Sequence, residues 1–145
     1  MKHYLAYGSN LNREQMAFRC PDATPVGSAE IQDWQLAFRR GYLTIEPAEG
    51  SAVPVGIWEI SEQDEKSLDR YEGFPRFYRK EYIEAGGLPC LVYIMNDGYP
   101  VEKPRPEYLL TVAKGYSDFG MEMTPLMEAY DRASTTVSTT KNARN

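Results

Sequence analysis

An α+β domain built mainly on antiparallel strands is predicted for this chain, and three features carry the prediction. Short runs rich in Val, Ile, Leu and aromatics, each bounded by Gly, Pro or Asp, occupy the first two-thirds. Among them, Glu84-Ala85-Gly86-Gly87-Leu88 has the composition of a tight hairpin turn, because Gly-Gly supplies the positive φ angles such a turn needs. Helices interrupt or follow these runs and are expected to pack on the sheet. A single domain is expected, since 145 residues with 42% hydrophobic and 26% charged content bury one ordinary core and not two.

Taken in order, the chain begins with a strand-like run, Tyr4-Leu5-Ala6-Tyr7, broken at once by the polar turn Gly8-Ser9-Asn10 and followed by a helix-compatible segment, Asn12 to Arg19. Strands are expected over Thr24 to Ile31, Gln35 to Arg40, Tyr42 to Ile45, Val53 to Ile60, Phe77 to Glu84 and Leu88 to Met95. Between the fourth and fifth of these, Ser61 to Tyr71 is predicted as a helix. Ser61 suits the N-cap, Glu62 and Asp64 favour the first turn, and Gly73 suits the position just past the end. Beyond the proline-rich link Tyr99 to Pro106, the segments Glu107 to Phe119 and Thr124 to Ala133 fit two more helices. The domain is expected to span 1–133. Residues 134–145 are polar and nearly free of large apolar side chains, so they are expected to form a flexible tail.

Charge and composition narrow the partners. A net charge of -5 without basic runs argues against nucleic acid and against an anionic membrane surface, which leaves small molecules. Polar residues follow Met1-Lys2-His3-Tyr4 too closely for a signal-peptide core, and no apolar run approaches the roughly 20 residues that span a bilayer; a cytoplasmic protein is expected. Cys20, Cys90 and His3, the only histidine, share no zinc-binding spacing, so no metal is expected and both thiols should be reduced.

Two places carry chemistry. A strand that stops at Gly8-Ser9-Asn10 and leads into a helix turns successive N–H groups toward one spot, which suits an anion such as a carboxylate. The second place is Glu72, at the C-terminal end of the helix expected over Ser61 to Tyr71. A carboxylate there faces the negative end of the helix dipole, where Lys or Arg would be favoured. That placement, with Tyr71, Phe74 and Phe77 nearby, would raise the pKa as a general acid/base near neutrality requires. The plain alternative is a surface ion pair with Arg70, Arg76 or Arg79. Arg39, Arg40, Arg76 and Arg79 could similarly form either a rim for an acidic substrate or a solvated face. Ser9 as a hydrolase nucleophile is disfavoured, because Tyr7-Gly8-Ser9-Asn10 lacks the second glycine of a nucleophile elbow and His3 would have to be the base. The segments Phe74 to Tyr78 and Asn96 to Pro106 are candidates for a mobile rim.

In order and spacing, Tyr7-Gly8-Ser9-Asn10-Leu11, Gly56-Ile57-Trp58-Glu59-Ile60, Leu68-Asp69-Arg70-Tyr71-Glu72-Gly73 with Tyr78-Arg79, and Cys90-Leu91-Val92-Tyr93-Ile94-Met95 resemble the γ-glutamylcyclotransferase family. The likeness continues through Pro104 to Tyr108 and Ala113-Lys114-Gly115, covering roughly residues 1 to 130. It implies a compact, mostly antiparallel mixed β-barrel flanked by helices. The implied reaction is intramolecular aminolysis of a γ-glutamyl compound to 5-oxoproline and a free amine, without a cofactor. By that resemblance Tyr7, Gly8, Ser9 and Asn10 hold the amino-acid end of the glutamyl group, and Tyr4, Leu5 and Ala6 line the pocket. The family's catalytic glutamate falls on Glu72, already singled out by its position, and its pocket tyrosines on Tyr93 and Tyr108. The residues after Gly8 differ from those of glutathione-specific and γ-glutamylamine-specific relatives, so γ-glutamyl amino acids or dipeptides are the expected substrates. A monomer and a homodimer remain open, as does a non-catalytic domain of this fold that binds an amino-acid derivative.

Overall fold

The computed structural model describes residues 1–143, with side chains as far as Thr135. Its five strands are β1 (Lys2–Ala6), β2 (Thr24–Arg39), β3 (Tyr42–Ile60), β4 (Tyr78–Ala85) and β5 (Leu88–Met95). They form one sheet in the order β2-β3-β1-β5-β4. β1 lies in the middle, antiparallel to β3 with Lys2 opposite Ile60 and Ala6 opposite Gly56, and parallel to β5 with Tyr4 opposite Leu91. The other ladders are antiparallel hairpins. The α+β class and its mostly antiparallel character hold, but the expected closed barrel does not: β2 and β4 stand at opposite edges and do not pair. α4 (Thr124–Ala143) covers β2 instead, with Arg132 Nη2 donating to Leu36 O at 2.8 Å.

Four of the expected short strands are two long ones. β2 runs through Gln32 to Trp34 by a bulge, in which Asp33 takes φ 69 and its carboxylate accepts from Gly50 N at 3.0 Å. A bulge absorbs an extra residue and adds twist without ending the strand. Turn-forming residues at 33, 47 and 50 therefore mark irregularities inside a ladder. At the predicted hairpin, Gly86 and Gly87 take φ 62 and 82, and Ala85 pairs with Leu88.

The helices follow their end signals. α1 (Arg13–Arg19) is capped by Asn12, whose side chain accepts from Gln15 N, and a short 3₁₀ turn, Ser9–Leu11, joins it to β1. α2 (Glu62–Glu72) starts with a capping box between Ser61 and Asp64 and stops at Gly73, φ 65. α3 (Pro106–Asp118) has proline in its first turn. α4 is anchored by buried Leu126, Ala129 and Ala133, and its helical backbone continues to Ala143, into the segment expected as a tail. Residues 144 and 145 lie outside the described residues. The core joins Leu5, Val53, Val55, Ile60 and Leu91 of the sheet to Leu68 of α2 and Val112 of α3, all fully buried.

Candidate active site

A cavity of about 940 Å³ opens where the end of β1, the start of β3, the end of α2 and the start of α3 converge. The turn predicted to bind an anion forms one wall: Tyr7, Gly8, Ser9 and Asn10 all line it. Two close approaches set the turn's position. Gly115 of α3 packs so tightly against it that a Cβ there would lie 2.6 Å from Leu11 Cβ and 2.7 Å from Asn12 N. Gly8 faces Tyr108, whose hydroxyl would stand 3.3 Å from a Cβ on that residue. Tyr116 Oη donates to Tyr7 O at 3.1 Å, and Trp58 Nε1 to Asn10 O at 2.9 Å, so the turn is held from α3 and from β3.

Glu72 lines the same cavity from the last residue of α2. Asn10 Nδ2 donates to its Oε1 at 3.2 Å and to Tyr4 Oη at 2.8 Å. Burial pushes the Glu72 carboxyl up to about 7, against the opposing pull of the Arg19 charge and the Asn10 hydrogen bond. Neither Arg76 nor Arg79 pairs with it: Arg79 lies 2.5 Å from Glu81, and no ion pair of Glu72 occurs among the described residues. Of the aromatic neighbours expected, Tyr71 and Phe77 line the cavity, while Phe74 sits outside it under the Lys80 ammonium at 4.5 Å.

Tyrosines make up much of the remaining lining. Tyr7 Oη donates to Tyr93 O at 2.6 Å and Tyr78 Oη to Leu43 O at 2.7 Å, so both hydroxyls are spent on the framework. Tyr93 lines the cavity as expected, but its hydroxyl donates to Asp69 Oδ1 at 2.6 Å, tying β5 to α2. Tyr108 differs. Its oxygen accepts from Leu43 N at 3.1 Å, and among the described residues its own proton has no acceptor; the same holds for Tyr4, which accepts from Asn10. Burial raises the hydroxyls of Tyr4, Tyr7, Tyr78 and Tyr108, which therefore stay protonated at neutral pH. Ser9 Oγ lies 2.8 Å from Tyr71 Oη, with no histidine near it.

Leu5 and Ala6 do not line the cavity. Strand residues alternate faces, so Leu5 points away from Tyr4 into the core, and the methyl of Ala6 is buried in the same cluster. Of the expected arginine rim only Arg40 borders the cavity, from the β2–β3 turn, over the rings of Phe77 and Tyr99. Arg39 pairs with Glu46 instead. The two expected rim segments do meet at the site: Phe77, Tyr78, Lys103 and Arg105 line it, and Asn96 Nδ2 donates to both Pro75 O and Arg76 O at 2.8 Å. Arg19 is the charged neighbour of Glu72 that the sequence did not single out; its only local mark is a basic residue ending a helix. Among the described residues no group of His, Cys, Asp and Glu could hold a metal ion, and no helix is long and apolar enough to cross a membrane. The Cys20 thiol is pushed up to about 12 by burial and stays protonated.

Comparison with known proteins bears on this geometry. A family model described as "Gamma-glutamyl cyclotransferase, AIG2-like" matches residues 4–115, which takes in the turn, Glu72, Tyr93 and Tyr108. The chain belongs to that family. Proteins named gamma-glutamylcyclotransferase from Bos taurus and Homo sapiens are each 28% identical to it, over 83% of this chain and 72% of theirs. Among solved structures, one titled "Gamma-glutamyl cyclotransferase" superposes with a TM-score of 0.77 at 25% identity, covering 92% of this chain and 86% of that one. YkqA from Bacillus subtilis shares the fold, with a TM-score of 0.70 at 18% identity over 92% of this chain and 54% of that protein.

Proposed function

We propose that this protein is a γ-glutamylcyclotransferase that converts a γ-glutamyl compound to 5-oxoproline and a free amine, with Glu72 carrying the proton. One observation carries the reading: a carboxyl whose pKa lies at about 7 stands in the cavity, within hydrogen-bond reach of the turn that suits the glutamyl α-carboxylate. The α-carboxylate would rest against the leading N–H groups of the 3₁₀ turn, which have no partner within the turn itself. As carboxylate, Glu72 accepts a proton from the substrate's α-ammonium. The freed amine attacks the γ-carbonyl and closes the five-membered ring. The protonated carboxyl then gives its proton to the departing amine as the scissile C–N bond breaks, and the carboxylate so restored takes the second proton of the new ring nitrogen and passes it to the free amine, which leaves as its ammonium; one group serves every transfer. Both reacting groups belong to one molecule, and the pocket has only to fold them together. The free protons of Tyr4 and Tyr108 are the donors available to the carbonyl oxygen. The relatives named gamma-glutamylcyclotransferase support this activity, and the residues after Gly8 favour γ-glutamyl amino acids or dipeptides as substrates.

The test is release of 5-oxoproline from L-γ-glutamyl amino acids, γ-glutamyl amines and glutathione, by wild type and by Glu72→Gln. The expected result is turnover by wild type that drops at least about 10²-fold in the folded variant. Wild-type rates in Glu72→Gln would remove the proton carrier. No release from any substrate would leave a domain that binds such compounds without turning them over.

A further inference from the structure

Arg19 ends α1 beside the cavity, and the chemistry above makes no use of it. Its guanidinium stacks on the Tyr71 ring, 3.4 Å from the centroid. Nη2 donates to Gln15 Oε1 at 3.0 Å, and Nη1 donates to Asn10 Oδ1. That last contact fixes an amide that could otherwise turn over. With Oδ1 held by Arg19, Asn10 Nδ2 faces the opposite way, where it donates to Tyr4 and to Glu72. A flipped amide would set its oxygen against the ionised carboxylate and lose both donations.

The hydroxyls of Tyr4 of β1, Tyr7 just after it, Tyr78 of β4 and Tyr108 of α3 feel the Glu72 charge, and Tyr71 of α2 shares the cavity with them. The other charged residues that line the same cavity are Arg40, Glu102, Lys103, Arg105 and Glu107. Among the described residues, Arg19 supplies the positive charge felt by this carboxyl. We infer that Arg19 is a positioning residue, which locks the Asn10 amide toward Glu72 and sets a compensating charge beside its carboxylate. The inference rests on the reading of Glu72 as the proton carrier. Lysine would not replace it fully, because only a planar fork can serve two acceptors and stack on a ring together.

The experiment follows the Glu72 carboxyl by ¹³C NMR titration of the labelled full chain, assigned by its loss in Glu72→Gln, and measures kcat against pH. Arg19→Gln should move the titration midpoint upward by about one pH unit or more, with the acid limb of kcat following it. Arg19→Lys should keep the midpoint near that of wild type while lowering kcat about tenfold, since charge is retained and alignment is not. A wild-type midpoint in Arg19→Gln would overturn the inference, as would wild-type kcat in Arg19→Lys, and the lysine variant decides the matter if the glutamine variant fails to fold. The carboxyl titration reports on Arg19 even where Glu72→Gln retains turnover, so the two readings fail separately.

Discussion

Glu72 is held in an environment that favours its neutral form, and this has a consequence for stability as well as for chemistry. Its folded pKa of about 7 lies above the ordinary 4.5, so the folded protein binds this proton more tightly than the unfolded chain does. The resulting stabilisation is fully present below the ordinary value and is lost as pH rises through the folded one. Between pH 4.5 and 8, wild type should therefore lose up to about 3 kcal/mol relative to Glu72→Gln, which has no proton to release there. Urea unfolding of both proteins at pH 5 and pH 8 measures the difference, and parallel behaviour would mean that Glu72 titrates as an ordinary glutamate. At this scale the sequence was partly legible. A carboxylate at a helix end is conspicuous because the dipole disfavours it, and a strand broken at Gly8-Ser9-Asn10 is conspicuous because it leaves N–H groups unpaired. The largest cause of the raised pKa is burial, which depends on what folds over the residue and not on its neighbours in the chain. Arg19 escaped notice for the same reason, since its partner ring, Tyr71, is remote in sequence and is brought near only by the packing of α1 beside α2.

The turn that forms the cavity wall is only as well placed as the helix behind it. α3 approaches Ser9–Leu11 so closely that Gly115 has no room for a side chain, and the nearest atoms include the backbone of Leu11 and Asn12, which cannot swing aside. Gly115→Ala should force α3 and the turn apart, with a loss of about 1–3 kcal/mol despite alanine's better helix propensity. A fall in thermal midpoint with weaker substrate binding is the expected outcome; a rise would show that the helix moves without disturbing the turn. Gly56 is similarly enclosed, a Cβ there lying 2.6 Å from Leu11 and 2.8 Å from Phe119. Element ends were legible wherever a local rule governs them, as at the Ser61 capping box, Gly73 and the Gly86-Gly87 turn. Element lengths were not. Asp33 and Gly50 look like strand breaks in the sequence, yet the Asp33 side chain closes a bulge onto Gly50 N and the ladder continues past them.

Across the whole molecule, the helix that carries Glu72 is fastened to the sheet by a chain of charges that no short stretch of sequence displays. Lys80 of β4 lies 2.8 Å from both Glu65 and Asp69 of α2; Glu65 also holds Lys2 of β1 at 2.8 Å, and Asp69 receives the Tyr93 hydroxyl of β5. These residues meet because β1 is inserted between β3 and β5, a neighbour relation set by long-range pairing and invisible to local pattern. The side chains are mostly covered, with 19% exposure at Lys80 and 17% at Glu65, so water screens the pairs only in part. Lys80→Met should leave two covered carboxylates short of a partner and cost about 2 kcal/mol at pH 7, a drop in thermal midpoint of about 5 °C. The direction with pH is fixed by Glu65. Burial pushes its pKa up, but the hydrogen bonds from Lys2 and Lys80 outweigh that and hold it below the ordinary value. Its contribution is thus present above the ordinary carboxylate pKa and is lost as pH falls through the lower, folded one. Unfolding of wild type and Lys80→Met, followed from pH 7 down to pH 2, should show the gap between them narrowing below the ordinary carboxylate pKa. A gap that stays constant would mean that the lysine stem packs α2 against the sheet and that its charge contributes little.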